Sequence, residues 1–233
     1  MKRVPRFSSD LLILFDIDGT LMRRSGPAHR EALQQAVRTI TGIETSTDGI
    51  PVHGMLDPDI VTAMLLRAGL SREAIAGAIG SIEEEAQRYY EHACPDLRSA
   101  QCPGVKRLLG SLRREKIACV LVTGNLERIG WRKLDRGGLA GYFAFGSFAG
   151  TAATRSALAK NAIRLARRRG LVRRDTRIWL VGDAPQDVLA ARANGISCVA
   201  VHTGVSGVRE LGRLRPALLL KNLGRLRASR LLE

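Results

Sequence analysis

Leu11-Leu12-Ile13-Leu14-Phe15-Asp16-Ile17-Asp18-Gly19-Thr20 decides how the chain is read. Five apolar residues in a row, ended by acid and glycine, predict a β-strand buried on both faces. Side chains alternate along a strand, so Asp16 and Asp18 project to the same side and can converge on one group. Gly19 allows a sharp turn, and Thr20 offers a hydroxyl and an amide within it. In an open parallel sheet, ligands sit beyond the carboxyl ends of the strands, where this acidic pair falls. A lone Asp-x-Asp is ordinarily a solvated turn or a helix cap. Here it ends a fully apolar strand, and further segments answer to it.

Working outward, residues 21–102 read as helical. Gly26-Pro27 opens a helix to about Thr41, Asp57-Pro58 starts a second that ends near Gly69, and Ser71 begins a third that runs to about Ala93. From Pro103 helices alternate with apolar strands at Ile117–Thr123, around Tyr142–Phe145, at Ile178–Asp183, Ser197–Val201 and Ala217–Leu220, with a basic tail helix last. That alternation predicts an α/β fold, a Rossmann-like parallel sheet covered on both faces, with a small helical unit inserted after the first strand. The expected division is a core of residues 1–22 and 100–233 and an inserted unit of residues 23–99.

The carboxyl ends of the strong strands collect the chemistry. The first delivers Asp16 and Asp18; the second delivers Thr123-Gly124-Asn125 at a helix start; the strand at 178–183 delivers Asp183, with Asp187 four residues on. Clustered carboxylates suit a hard cation, and helix-start amides suit phosphate oxygens.

Composition sets bounds. The 233 residues are 45% hydrophobic and 25% charged, as in an ordinary globular protein. No apolar run approaches the roughly 20 residues that cross a bilayer. Residues 1–10 are basic, but no small-residue cleavage site follows the apolar run, so a cytoplasmic protein is expected. Cys94, Cys102, Cys119 and Cys198 lack Cys-x-x-Cys spacing and read as reduced thiols. His29, His53, His92 and His202 are scattered and read as surface or loop residues. The net charge is +15, and Arg167-Arg168-Arg169 and Arg173-Arg174 lie in the basic second half. A solvated face that attracts anions accounts for them. A nucleic-acid surface rests on charge alone, because aromatic residues are only 4% and do not interleave with the basic clusters.

The motifs resemble those of the haloacid dehalogenase-like superfamily in its phosphatase branch, whose phosphoglycolate phosphatase-like members carry a helical cap. Asp16-Ile17-Asp18-Gly19-Thr20 is similar to that family's first motif, Thr123-Gly124-Asn125 to its second and Gly182-Asp183-Ala184-Pro185-Gln186-Asp187 to its fourth. The resemblance implies Asp16 as nucleophile toward phosphorus and Asp18 as acid and then base. It implies Mg²⁺ held by Asp16, Asp183, the carbonyl of Asp18 and Asp187. Gly19, Thr20, Thr123, Gly124, Asn125 and Arg155 would bind the phosphorylated substrate, with Arg155, or else Lys160, as the basic third motif. Phosphoglycolate-like esters or sugar phosphates are the implied substrates, with a monomer or homodimer as the assembly. Relatives often carry Gly-Lys-Thr-Asp in the cap, where this chain has Gly54-Met55-Leu56-Asp57. Alternatives are a phosphosugar mutase of the same fold, a catalytically silent binding protein, or a nucleic-acid-associated protein.

Overall fold

The computed structural model describes residues 8–23 and 26–232. Residues 1–7, Arg24, Ser25 and Glu233, which the division above assigns to the core or the inserted unit, lie outside the described residues.

Strand β1 (Ser8–Phe15) occupies an interior position in a parallel six-stranded sheet. The others are β2 (Ile117–Val122), β3 (Gly146–Ser147), β4 (Arg177–Gly182), β5 (Ser197–Val201) and β6 (Leu218–Leu220), in the order β3-β2-β1-β4-β5-β6. Leu11 through Phe15 are at most 1% exposed. Each such side chain contributes about 1.5–3 kcal/mol on burial, which is why the most apolar run takes an interior place. The register puts Phe15 opposite Leu121 on one side and Val181 on the other. The carboxyl ends of β1, β2 and β4 therefore finish level, and the acids that follow them meet.

Between β1 and the rest lie α1 (Ala28–Thr41), α2 (Asp57–Arg67) and α3 (Arg72–Ala93). Their apolar stripes, Ala32, Leu33, Ala36 and Val37 on α1 and Ile75, Ile82, Ala86 and Tyr90 on α3, follow helical spacing and pack together. Ser71 caps α3 by accepting from the Ala74 amide, and Gly42 ends α1 in the left-handed conformation. The later helices are α4 (Val105–Arg114), α5 (Glu127–Arg136), α6 (Arg155–Arg168), α7 (Pro185–Ala193), α8 (Val208–Arg213) and α9 (Ser229–Leu232). Helix α3 also packs against α5, which follows β2.

Two local expectations are corrected. Residues 142–145 are not the third strand: a 3-10 turn covers Ala140–Tyr142, and the regular ladder begins only at Gly146. Phe143 and Phe145 are buried as a strand pattern requires, and Ala144 N and Phe145 O do bond to β2, so the apolar alternation is real but its backbone is irregular. The basic tail is a 3-10 turn at Leu223–Arg225 followed by the single helical turn α9, not one helix. The Trp179 indole N–H donates to Leu231 O at 2.9 Å and fastens this tail across β4. All four cysteines are buried and free. Among the described residues no helix is long and apolar enough to cross a membrane.

Candidate active site

The site grows out of the end of β1. The Asp16 amide donates to Val181 O at 3.0 Å, so the sheet holds the first acid in place. The chain then folds back, with Gly19 at φ +86° and its amide donating to Met22 O at 2.7 Å. Only glycine suits that turn, both for its φ and because a Cβ on Gly19 would stand 2.2 Å from Asp183 Oδ2. Gly204, in the loop after β5, presses on the same oxygen from elsewhere, since a Cβ there would lie 1.5 Å away. Asp183 is thus wedged between two bare backbones, and the Thr20 hydroxyl donates to its Oδ1 at 3.3 Å.

Asp16, Asp183 and Asp187 are all buried, with one oxygen from each lying within 4.8 Å of the others. Asp187 lies in the first turn of α7, where its Oδ2 accepts from the Ala184 amide at 3.1 Å. Arg155, in the first turn of α6, donates to Asp16 Oδ1 at 2.8 Å and to Val122 O at 3.3 Å, and its Nε stands 3.4 Å from Asp187 Oδ1. One guanidinium against three buried acids does not neutralise them. Burial, then the Asp16 and Asp187 charges, push the Asp183 carboxyl up to about 8, although Arg155 opposes this. Burial pushes Asp187 up to about 7 against the pull of Arg155. Burial also raises Asp16, more than Arg155 lowers it. Asp183 Oδ2 and Asp187 Oδ1 have no hydrogen-bond partner among the described residues. Unpartnered carboxylate oxygens crowded in one buried spot fit a divalent cation, which would satisfy them and relieve their repulsion.

Asp18 turns to a different set of groups. The Lys133 ammonium donates to its two oxygens at 2.6 and 2.8 Å, and the Asn125 side-chain amide donates to Oδ2 at 2.7 Å. Burial alone would raise this carboxyl, but the Lys133 charge and these bonds outweigh it and hold Asp18 well below the usual carboxylate range. Lys133 also donates to Asn125 Oδ1 at 2.5 Å and to His29 Nδ1 at 3.1 Å. An ammonium has only protons to give, so Nδ1 accepts, and the Nε2 proton points to Asp57 Oδ2 at 3.0 Å. Asp57, at the start of α2, accepts the Leu126 amide at 2.8 Å and donates its own amide to Gly124 O at 2.8 Å. The helical insertion is thereby bonded to the turn after β2 at the rim of the site.

A cavity of about 290 Å³ lies between the two sets. Asp16, Asp18, Gly124, Asn125, Arg155 and Asp183 form its floor, and Leu33, Val52, Met55, Ile60 and Tyr90 of the insertion form its apolar roof. Most of the expected residues therefore meet at one place. Thr123 stands apart from the cavity wall: fully buried, its hydroxyl accepts from the Asn125 side chain at 3.0 Å and so orients that residue. Of the two candidates for the basic third motif, Arg155 reaches Asp16, whereas Lys160 is exposed farther along α6.

The reading of the histidines as surface or loop residues holds for His92 and His202, which are exposed, and for His53, a loop residue that nonetheless lines the cavity; His29 lies on α1 and lines the cavity as well. Lys133 was missed altogether. The signal was present, because Ile129, Gly130, Lys133 and Leu134 form the buried stripe of α5. His29 likewise lies one turn before Ala32 and Leu33 on the buried stripe of α1.

Comparisons with known proteins agree with this fold. A phosphoglycolate phosphatase of Pseudomonas fluorescens is 28% identical over 228 residues, covering 95% of this chain and 78% of its own length. One of Chromobacterium violaceum is 27% identical over 215 residues, covering 86% and 88%. The crystal structure of a β-phosphoglucomutase of Clostridium difficile superposes with a TM-score of 0.70 at 18% identity, over 96% of this chain and 95% of that one. The family model for haloacid dehalogenase-like hydrolases matches residues 11–195, from β1 to the turn beyond α7, and so contains every acid of the cluster. The chain belongs to the haloacid dehalogenase-like hydrolase family.

Proposed function

We propose that this hydrolase is a phosphatase that cleaves a small phosphate monoester through an aspartyl-phosphate intermediate on Asp16. The observation that carries the reading is the pairing at the end of β1. Asp16 and Asp18 face one cavity, with Arg155 bonded to the first and the Lys133–Asn125 pair bonded to the second. Arg155 aims the Asp16 carboxylate and offers a cation to the incoming phosphoryl group. Attack by Asp16 on phosphorus forms the acyl phosphate while the ester oxygen departs with a proton from Asp18. Asp18 then takes a proton from the water that hydrolyses the intermediate. The ionised Asp18 held by Lys133 is the form suited to this second step. In the first step the anionic substrate competes for the ammonium, and its loss lets Asp18 carry a proton.

Asp16 and Asp183, with Asp187 and the carbonyl of Asp18, are the groups that would hold Mg²⁺, and Thr20 steadies Asp183. The cation would screen the repulsion between a carboxylate nucleophile and an anionic phosphate. The Gly124 and Asn125 amides, placed by Thr123, would cradle the phosphoryl oxygens. Residues 23–99 act as the cap over a core of residues 1–22 and 100–233. The names of the relatives and the small cavity support a compact leaving group of the phosphoglycolate or sugar-phosphate kind.

The test is hydrolysis of para-nitrophenyl phosphate and 2-phosphoglycolate, with and without Mg²⁺, by wild type and Asp16→Asn. Cation-dependent turnover that disappears in the variant is expected. Equal turnover by both proteins would remove Asp16 as the nucleophile.

A further inference from the structure

His53 lies in the loop between α1 and α2, far in sequence from the acidic cluster, yet its ring approaches Asp183 of that cluster. Its Nε2 stands 3.7 Å from Asp183 Oδ2, the carboxylate oxygen without a hydrogen-bond partner among the described residues. The same nitrogen is 2.9 Å from Ser206 Oγ, in the loop after β5. That bond shows that the polar edge of the ring, not a carbon edge, is turned to the acids. The loop backbone is pinned as well. The Gln186 side chain donates to His53 O at 3.4 Å, and a Cβ on Gly54 would stand 2.2 Å from Gln186 Oε1. With only 20% of its side chain exposed, the imidazole is held from the core on two sides.

We propose that His53 supplies a nitrogen ligand from the cap to the cation held by Asp16 and Asp183, so that the site favours Mn²⁺ or Co²⁺ over Mg²⁺. The inference rests on the metal-binding reading of the acidic cluster given above. An all-oxygen cluster suits a hard cation such as Mg²⁺; an imidazole adds little for Mg²⁺ but suits the transition metals. Ser206 holds the Nε2 edge in place, and a cation takes that edge over when it binds. Because the nitrogen belongs to the cap and the carboxylates to the core, the bound cation also joins the two.

Pulsed electron paramagnetic resonance on the Mn²⁺-loaded full chain tests this directly, together with calorimetric titrations of Mn²⁺ and Mg²⁺. Wild type should show ¹⁴N coupling from a directly bound nitrogen. His53→Ala should lose that coupling and about tenfold or more of its Mn²⁺ affinity, with Mg²⁺ affinity changed much less. Ser206→Ala, which removes the hydrogen bond but keeps the ring, should retain the coupling, so loss of the signal in His53→Ala alone is not a general effect of a disturbed loop. Absence of ¹⁴N coupling in wild type, its persistence in His53→Ala, or an equal loss of both cations would overturn the proposal. Asp183→Asn separates the two readings. If it abolishes Mn²⁺ binding while wild type shows no nitrogen, the acidic site stands and His53 is no ligand. If it leaves Mn²⁺ binding intact, the cation lies elsewhere and both readings fall.

Discussion

Replacing Gly204 by alanine should displace one cation ligand without touching any functional group. Gly204 does not have a left-handed backbone, so alanine is allowed there by conformation, and the only obstacle is what its methyl group meets. The Cβ would stand 1.5 Å from Asp183 Oδ2 and 2.4 Å from its Cγ, whereas ordinary contact begins at 3.4 Å. The oxygen must therefore retreat by about 2 Å, roughly ten times the tolerance of a metal–ligand distance. The Gly19 backbone packs against the same oxygen, which limits the room for that retreat. Changes in groups that merely support a ligand weaken cation binding about 10–100-fold. Displacing a ligand should reach at least the upper end, about 2.8 kcal/mol. Calorimetric titration of Mg²⁺ and Mn²⁺ into Gly204→Ala measures the loss. Gly207→Ala is the control, since a Cβ at Gly207 meets nothing within 4 Å. Binding by Gly204→Ala within about threefold of wild type would refute the idea that this glycine fixes the position of Asp183.

Arg155→Met leaves Asp16 and Asp187 buried without their guanidinium, and should cost about 3–5 kcal/mol. Thermal unfolding should then fall by roughly 10 °C, and an unchanged midpoint would show that the acids do not depend on it. Asp57→Ala strands the Leu126 amide and breaks the bond to His29. A loss of about 1–3 kcal/mol and faster hydrogen exchange at Leu126 are expected, and unaltered exchange there would count against the bond. Without a cation, Asp183 and Asp187 hold protons up to about 8 and 7, against 3.8 for an ordinary aspartate. The folded state then binds more protons than the unfolded chain above about pH 4, so stability declines as pH rises toward 8, by up to about 1.4 kcal/mol per pH unit for each proton. Melting curves from pH 5 to 9 with a chelator should fall in that window, and added divalent cation should recover most at the alkaline end; a flat chelated series would contradict the pKa order.

What the sequence disclosed followed from how local each signal was. Asp16 and Asp18 could be placed because they end an uninterrupted apolar strand, and Asp183 and Asp187 because a glycine and a helix start follow another. Thr123-Gly124-Asn125 was legible for the same reason, although the hydroxyl of Thr123 turned out to orient Asn125. Lys133 was hidden by its neighbour: Arg132-Lys133 looks like a pair of surface cations until the stripe of α5 is drawn. His29 hid similarly at the edge of the stripe on α1. His53 carried no local signal at all, since a loop has no periodicity and its partners Ser206 and Asp183 lie in distant turns. The third strand was displaced because alternating phenylalanines mark burial, whereas regular pairing depends on the backbone that follows.

The interior position of β1 also has a consequence for how the protein is made. Phe15 pairs beside Leu121 and Val181, so the strand leaving the ribosome first waits for both of its neighbours. At about 5–20 residues per second, the second flank arrives roughly 10–30 s after the first apolar run. Until β2 is made Leu11–Phe15 has two bare edges, and until β4 is made it keeps one, the kind of segment that seeks another chain. Early survival of the nascent protein therefore depends on what shields this run before β4 exists. The same five residues that anchor the finished sheet are a hazard during synthesis.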